Sequence, residues 1–210
     1  MFHPLLRRRG LYAITNGPRV DLLEAAHASL RGGARILQYR DKGSGGVRRL
    51  QEARALAQLC ADFDVPLIVN DDVDLAFASG AAGVHLGEGD AAVAEARARL
   101  GSQAIIGVSC YDSLRRAREA AAAGADYLAF GAFFSSPTKP LARRAAPELL
   151  REAKTLELPL VAIGGITSDN GGLLIEAGAD HLAAISAVFD ATDIRAAAQR
   201  FADLFQVHPS

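Results

Sequence analysis

Short apolar segments recur along the chain and are separated by longer segments with helical periodicity. Each apolar segment is four or five residues long and is rich in β-branched or aromatic residues, which is typical of buried strands rather than helices. The pattern predicts eight strands: Leu11–Thr15, Ile36–Tyr39, Leu67–Asn70, Gly83–Leu86, Ile105–Val108, Tyr127–Phe130, Leu160–Ile163 and His181–Ile185.

The intervening segments carry apolar residues three or four positions apart, as on the buried face of an amphipathic helix. One predicted face contains Leu50, Ala53, Ala57 and Cys60. A second contains Ile194, Ala197, Ala198, Phe201, Leu204 and Phe205. Thr192 precedes this last helix and is predicted to cap its N-terminus.

A glycine-alanine pair lies between a predicted helix and the next strand at four places. The pairs are Gly33-Ala34, Gly80-Ala81, Gly124-Ala125 and Gly178-Ala179. Their spacings of 47, 44 and 54 residues correspond to about two βα units each. Strict alternation of strands and helices predicts a parallel sheet, and eight units favour an α/β fold with a single (βα)8 TIM barrel over an open doubly wound sheet.

Composition favours a single globular domain spanning residues 1–210, with a short basic arm at residues 1–10. The chain is 50% hydrophobic and has a formal net charge of −1, which argues against nucleic acid or an anionic membrane as a partner. Cys60 and Cys110 lack metal-type spacing, and Cys60 is predicted to be a core residue. No signal-type or membrane-spanning segment is present, so we expect a cytoplasmic protein; whether it forms a homo-oligomer is left open.

Polar residues gather where the predicted strands end. In a barrel of this kind, the residues beyond the C-terminal ends of the strands form the active site. These segments are Gln38–Lys42, Asn70–Asp72, Gly87–Asp90, Ser109–Tyr111, Ser135–Lys139, Gly164–Ile166 and Ser186. Their common position predicts one polar cavity at one end of the barrel.

The charged members of this set predict an anion held together with a divalent cation. Arg40, Lys42 and Lys139 supply positive charge, and Asp71 and Asp90 supply carboxylates. Magnesium prefers oxygen ligands and is commonly bound by one or two carboxylates together with substrate phosphates. Asp71 and Asp90 are therefore predicted magnesium ligands, with helix capping as their alternative role.

Two further observations refine this prediction. Asp72 is expected to cap the following helix rather than to bind metal. Gly164-Gly165 after strand seven, and Ser186 before a short predicted helical turn, match the usual phosphate site of this fold. His85 within strand four is expected to be a structural residue of the barrel interior. The sequence thus predicts two anion-binding regions, and therefore two phosphorylated substrates.

Taken together, these residues resemble the thiamine-phosphate synthase family over nearly the whole chain, from Leu11 to about Phe205. The resemblance rests on seven motifs in order: Gln38-Tyr39-Arg40-Asp41-Lys42, Asn70-Asp71-Asp72, Gly83-Val84-His85-Leu86-Gly87 followed by Asp90, Gly107-Val108-Ser109, Thr138-Lys139, Ile163-Gly164-Gly165-Ile166 and Ile185-Ser186. The departures from the family pattern are mild: Asp41, Cys110-Tyr111, Ala132-Phe133 and Ser136 replace commoner residues.

The resemblance implies an enzyme that joins a pyrimidine diphosphate to a thiazole phosphate and releases pyrophosphate, with Mg²⁺ as cofactor. It implies that Asp71 and Asp90 bind the metal, and that catalysis depends on Arg40, Lys42, Ser109 and Lys139. The implied contacts to the pyrimidine diphosphate are Gln38, Arg40, Lys42, Asn70, Ser109 and Lys139. The implied contacts to the thiazole phosphate are Ser136, Thr138, Gly165, Ile185 and Ser186. Tyr39, Asp41 and Pro137 are further implied substrate contacts. Its partners would be small phosphorylated substrates.

Two alternatives stay open at this point. A thiazole tautomerase-like relative would share the fold but would not need Asp71, Asp90 and Arg40 together. A non-catalytic sensor of a phosphorylated ligand would need only the region of Gly165 and Ser186. The presence of both anion-binding regions favours the synthase.

Overall fold

The computed structural model describes residues 3–43, 45–89, 92–135 and 144–208, in which eight parallel strands close into one barrel. Each strand pairs with its sequence neighbours, and β1 pairs with β8. The strands are β1 Gly10–Ile14, β2 Ile36–Tyr39, β3 Leu67–Asn70, β4 Gly83–Leu86, β5 Ile105–Tyr111, β6 Tyr127–Phe130, β7 Leu160–Ile163 and β8 His181–Ala184. The predicted (βα)8 barrel is confirmed, and five of the eight strands have the predicted bounds.

Helices connect the strands throughout the described residues. The α-helices are α1 Leu22–Arg31, α2 Gly46–Asp62, α3 Val73–Ser79, α4 Val93–Leu100, α5 Leu114–Ala122, α6 Glu148–Ala153, α7 Gly172–Glu176, α8 Ser186–Phe189 and α9 Ile194–Val207. Two 3-10 turns, at Pro4–Leu6 and Lys154–Leu156, complete the set. Within the described ranges, no helix combines the length and the apolar character that a membrane crossing requires.

Of the two predicted helix caps, one is confirmed and one is wrong. The Asp72 side chain accepts a hydrogen bond from the Leu75 N–H at 2.9 Å, which confirms it as the N-cap of α3. The prediction that Thr192 caps α9 is wrong. Asp193 is the N-cap, because its carboxylate, one residue later, is placed to accept from the Ala196 N–H at 2.9 Å.

The glycines of the four predicted helix–strand junctions adopt left-handed backbone conformations. Gly33, Gly80, Gly124 and Gly178 have φ values of 96°, 72°, 91° and 113°. Residues with a Cβ atom rarely adopt these values, so glycine ends each helix and turns the chain into the next strand. The recurrence of glycine at these four junctions therefore has a conformational cause.

The core has two layers, set by the alternation of side chains along each strand. The outer layer lies between strands and helices and includes Ile106, Val108 and Cys110 of β5. The inner layer fills the barrel and consists of Leu6, Tyr12, Ile14, Ile36, Ile68, Ile105, Tyr127, Ala129, Val161 and Ala183. Side chains that share the inner parity at the C-terminal strand ends therefore face a common space.

The basic segment at the start of the chain is partly structural. Arg8 forms an exposed ion pair with Asp64. Arg9 is mostly buried: its guanidinium donates to the Ala179 carbonyl at 3.1 Å and packs over the Phe205 ring. The predicted basic arm is therefore not solvated throughout, since Arg9 links the segment before β1 to the barrel.

Candidate active site

A cavity of about 530 Å³ opens at the C-terminal end of the barrel, where the positions of the polar residues in the sequence predicted it. Of the predicted site residues, seven line this cavity: Gln38, Arg40, Lys42, Asn70, Asp71, Ser109 and Ile185. They come from the ends of β2, β3, β5 and β8 and the loops that follow. All eight strands, or the loops after them, contribute lining residues to this single cavity.

A second cavity, of about 340 Å³, adjoins the first. It contains three predicted residues, Gly165, Ile185 and Ser186, and Ser135 lies at its edge. The two cavities share the lining residues Ile163, Gly164, Ala183 and Ile185. Molecules bound in the two cavities would therefore meet at the ends of β7 and β8.

The basic side of the main cavity is held in place by the neighbouring strand. The backbone N–H of Arg40 donates to the Thr15 hydroxyl at 2.8 Å, and that hydroxyl donates back to the Arg40 carbonyl at 3.2 Å. Gly17 adds a backbone hydrogen bond to the same carbonyl at 3.2 Å. These contacts fix the backbone from which the Arg40 and Lys42 side chains reach the cavity.

Tyr39 and Asp41 alternate with the cavity residues, so their side chains point the other way. Neither lines a cavity; instead they join a cluster with two residues of α2. Arg48 donates to Asp41 at 2.5 Å and to Glu52 at 2.8 Å, and the Tyr39 hydroxyl donates to Glu52 at 2.6 Å. Their predicted contact with substrate stays a prediction, which this placement does not favour. The cluster instead supports the loop that carries Lys42.

The Asp41 carboxylate keeps its charge although its side chain is fully enclosed. Burial alone would raise its pKa, but hydrogen bonds from the Gly43 N–H and from Arg48, together with the charge of Arg48, hold the pKa below its ordinary value. The Gly43 bond is 2.7 Å long and closes the turn around Lys42. A charged Asp41 therefore fixes the conformation of this loop.

Asp71 occupies a strained position at the top of β3. Its φ of 65° lies in the left-handed region, which aspartate tolerates better than most residues. Its N–H donates to the His85 carbonyl at 2.8 Å, and its carboxylate accepts from the Asn70 side chain at 2.5 Å. The exposed carboxylate thus lies at the cavity edge, beside the amide of Asn70.

The oxygen donors around Asp71 fit a magnesium ion bound partly by the protein and partly by phosphate. Glu88 provides a second carboxylate in the cavity lining. In the described part of the chain, no three His, Cys, Asp or Glu side chains converge as they would in a metal site formed by the protein alone. The other predicted ligand, Asp90, lies outside the described residues, as do Ser136, Pro137, Thr138 and Lys139.

Five side chains form a continuous hydrogen-bonded series beneath the main cavity. Gln38 contacts the Tyr12 hydroxyl at 2.7 Å, and the Tyr12 and Tyr127 hydroxyls are 2.7 Å apart. His85 lies 2.9 Å from the Tyr127 hydroxyl through Nδ1 and 2.8 Å from the Ser109 hydroxyl through Nε2. We call this series the interior network. Burial raises the pKa of both tyrosines, which therefore stay protonated.

The structure explains how the chain accommodates Cys110 and Tyr111. Tyr111 lies two residues after Ser109 and lines the cavity as Ser109 does, and the register of β5 against β6 shifts between these two residues. Cys110 faces the outer layer, where burial raises the pKa of its thiol to about 12. The Tyr111 hydroxyl accepts from the Glu88 N–H at 3.3 Å and so contacts the loop that leads to Asp90.

The second cavity depends on backbone that only glycine can provide. Gly165 has a φ of 64°, and a Cβ atom there would lie 2.4 Å from the Ser135 carbonyl oxygen. Its own carbonyl accepts from the Asn170 side chain at 3.0 Å. Across the cavity, Ser186 begins α8, which confirms the predicted helical turn. Gly164, Gly165 and Ser186 all line this space.

Sequence interpretation missed two polar side chains of the interior network, Tyr12 and Tyr127. Glu88 and Tyr111 lie in the predicted polar segments Gly87–Asp90 and Ser109–Tyr111 but were given no individual role. Alternation along the strands places both tyrosines inside the barrel. Tyr12 lies two residues before Ile14, and Tyr127 two before Ala129, so each shares the inward direction. The prediction that His85 is an interior residue is confirmed, but its ring also lines the cavity.

Comparison with known proteins agrees with this geometry. A family model described as thiamine monophosphate synthase matches residues 11–188. The chain is 52% identical to the thiamine-phosphate synthase of Marinobacter nauticus over 206 residues, covering 96% of this chain and 93% of that protein. It is 54% identical to that of Thioalkalivibrio sulfidiphilus over 207 residues, covering 96% and 97%. The solved structure of thiamine phosphate pyrophosphorylase from Pyrococcus furiosus superposes with a TM-score of 0.88 at 34% identity, covering 98% and 100% of the two chains.

Proposed function

The chain belongs to the thiamine monophosphate synthase family, and we propose that it joins 4-amino-2-methyl-5-hydroxymethylpyrimidine diphosphate to 4-methyl-5-(2-hydroxyethyl)thiazole phosphate. The products are thiamine phosphate and pyrophosphate. It is therefore an enzyme of thiamine biosynthesis, and the cytoplasm is its proposed location.

One observation carries this proposal: two adjoining cavities share the walls formed by Ile163, Gly164, Ala183 and Ile185. A condensation of two phosphorylated molecules requires two anion sites whose occupants touch. A single-substrate isomerase or a sensor would need only one. The shared walls supply the place where the thiazole nitrogen would meet the pyrimidine methylene.

The main cavity suits the pyrimidine diphosphate. Arg40 and Lys42 place positive charge at its rim, and Gln38 and Ser109 offer polar contacts deeper inside. Charge-assisted hydrogen bonds to phosphate are roughly twice as strong as neutral ones. The basic rim would therefore hold the diphosphate, while the narrower interior would hold the ring.

Magnesium would bind at the carboxylate edge of the same cavity. Asp71 would be one ligand, and Asp90 stays the second predicted ligand. Diphosphate oxygens would complete the coordination, as is common for this ion. The metal would neutralise charge that develops on the leaving diphosphate.

The second cavity suits the thiazole phosphate. Gly165 allows the backbone to approach an anion closely, and Ser186 adds a hydroxyl donor. Ser136, Pro137, Thr138 and Lys139 stay predicted contacts of the bound phosphates. Neutral donors would hold this monophosphate without competing with the cationic rim of the other cavity.

The proposed reaction breaks the bond between the pyrimidine methylene carbon and the diphosphate oxygen, and the electron pair leaves with pyrophosphate. The thiazole nitrogen then donates its lone pair to the methylene cation and forms the new carbon–nitrogen bond. No proton needs to be removed from that nitrogen. The described residues would provide charge and alignment. The Ser109 hydroxyl and the His85 ring lie 2.8 Å apart, but this reaction needs no nucleophile from the enzyme.

A direct test combines the purified protein with both substrates and Mg²⁺ and follows thiamine phosphate by chromatography and pyrophosphate by phosphorus NMR. Equal amounts of both products, formed only when both substrates are present, are expected. Matched reactions that omit one substrate, or replace Mg²⁺ with chelator, are the controls. Isomerisation of a thiazole carboxylate phosphate without condensation, or binding without turnover, would contradict the proposal.

A further inference from the structure

We propose that the interior network sets the hydrogen-bonding direction of Gln38 and Ser109 as a single unit, with Tyr12, Tyr127 and His85 as positioning residues. Gln38 and Ser109 line the main cavity at opposite ends of the network. The proposal deepens the proposed function, because these two groups would contact the pyrimidine diphosphate. It concerns residues that act through others rather than on the substrate itself.

The network is enclosed and geometrically tight. Tyr12, Gln38 and Tyr127 are 1%, 2% and 0% exposed, and His85 is 9% exposed. The rings of His85 and Tyr127 stack at 5.6 Å, and Tyr12 packs edge-on against Tyr127 at 5.9 Å. Packing therefore holds every hydroxyl and ring nitrogen in line with its neighbour. A buried donor or acceptor left unmatched is costly, so the hydrogens must be ordered consistently along the network.

The order follows from the group at one end. The Gln38 amide nitrogen can only donate, so the Tyr12 oxygen accepts from it and gives its own hydrogen to Tyr127. Tyr127 then donates to Nδ1 of His85, which places the hydrogen of a neutral His85 ring on Nε2. That nitrogen donates to Ser109, whose own hydrogen is left for the cavity. The cavity thus receives an acceptor from Gln38 and a donor from Ser109.

Gln38→Glu should reverse the whole order, because a carboxylate only accepts. Tyr12 would donate to the new carboxylate and Tyr127 to Tyr12. His85 would then donate through Nδ1 and accept from Ser109 through Nε2. The Ser109 hydroxyl would point its hydrogen away from the substrate, although Ser109 itself is unchanged. Tyr127→Phe removes the central hydroxyl and should disconnect the two ends.

The first test reads the His85 tautomer by nitrogen NMR of protein labelled at histidine, and it needs no substrate or activity. The His85 signals are assigned by their loss in His85→Asn. The wild type is expected to carry hydrogen on Nε2, and Gln38→Glu on Nδ1. Gln38→Glu combined with Tyr127→Phe, or with Tyr12→Phe should the first variant fail to fold, is expected to lose this switch.

The second test measures how the cost of Ser109→Ala depends on the rest of the network. Ser109→Ala should lower kcat/KM about tenfold or more in the wild type, since it removes a donor to the substrate. In the Gln38→Glu background, Ser109→Ala should lower kcat/KM less than twofold. In Gln38→Glu combined with Tyr127→Phe, the cost should return to about fivefold or more. Ser29→Ala removes a buried hydroxyl on α1 outside the network and should leave these ratios unchanged.

The two tests separate this proposal from the proposed function. If the protein makes no thiamine phosphate, the function fails, while the tautomer switch is still measurable. The network proposal is overturned by the same His85 tautomer in the wild type and in Gln38→Glu. It is also overturned by equal costs of Ser109→Ala in all three backgrounds.

Discussion

A Cβ atom added to Gly107 would lie 1.9 Å from Cζ of Tyr127 and 2.3 Å from its hydroxyl oxygen. Gly107 precedes Ser109 by one inward position on β5, and Tyr127 stands opposite on β6. Glycine at this position therefore leaves the space in which the Tyr127 ring joins β1 to β4. Glycine is therefore needed in the motif Gly107-Val108-Ser109 for packing, and not for a turn or a phosphate contact.

Gly107→Ala should displace the Tyr127 ring, lower turnover and destabilise the protein by about 1–3 kcal/mol or more, as overpacked cores do. Gly46→Ala is the matched control, because nothing lies within 4 Å of a Cβ at that position. Thermal unfolding and kcat/KM should both change in the first variant and neither in the second. Wild-type turnover in a folded Gly107→Ala protein would contradict the assigned packing role.

Acid should weaken the fold through His181, the first residue of β8. The His181 ring is fully buried, and this burial lowers its pKa from 6.5 to about 4 despite the opposing effects of Asp180 and of backbone groups at Leu6 and Gly10. Between about pH 4 and pH 6.5, His181 therefore binds a proton in the unfolded chain but not in the folded chain. Stability from this group is complete above about pH 6.5 and is lost as the pH falls towards 4.

Comparison of the wild type with His181→Leu by urea unfolding isolates this contribution from other titrating groups. Between about pH 7.5 and 4.5, the free energy of unfolding of the wild type should fall by about 2–3 kcal/mol more than that of the variant. Parallel pH dependences in the two proteins would mean that His181 does not titrate as its burial implies.

Two adjacent aspartates should behave differently towards magnesium. Asp71→Asn should reduce kcat strongly and raise the magnesium concentration that gives half the maximal rate, because a metal ligand supplies several kcal/mol of charge stabilisation in the transition state. Asp72→Asn should leave both quantities unchanged, since asparagine also caps helices well. Rate is measured against magnesium concentration in both variants. A wild-type response in Asp71→Asn would remove this residue from the proposed ligands.

The order of bond breaking and bond formation can be tested on the substrate. Replacing the pyrimidine methyl by trifluoromethyl withdraws electrons and should slow an ionisation steeply while leaving affinity nearly unchanged. Single-turnover kinetics separates binding from the chemical step. Near-equal rates for the two substrates would instead favour direct displacement by the thiazole nitrogen.

The fold was predictable because each barrel strand is a short apolar segment closed by polar residues or glycine. Asn70 and Arg40 were predictable for the same reason: a polar residue at the end of a buried strand has few structural explanations. Tyr12 and Tyr127 were not found because both faces of these strands are buried, and hydrophobicity then carries no information on which residues face the interior.

The remaining differences have similarly local causes. Tyr39 follows an inward residue on β2, so alternation turns it towards α2, and its predicted contact with substrate stays a prediction. Thr192 and Asp193 both suit a helix cap, and only the position of the first helical turn distinguishes them.

The division of the site into two cavities is tested most directly by titrating two variants with each substrate separately, in the presence of magnesium. Arg40→Ala should weaken binding of the pyrimidine diphosphate by about 1.5–3 kcal/mol, or roughly 10- to 150-fold, and leave the thiazole phosphate unaffected. Ser186→Ala should weaken binding of the thiazole phosphate by about 1 kcal/mol, or roughly fivefold, and leave the pyrimidine diphosphate unaffected. Equal losses for both ligands in both variants would contradict the account.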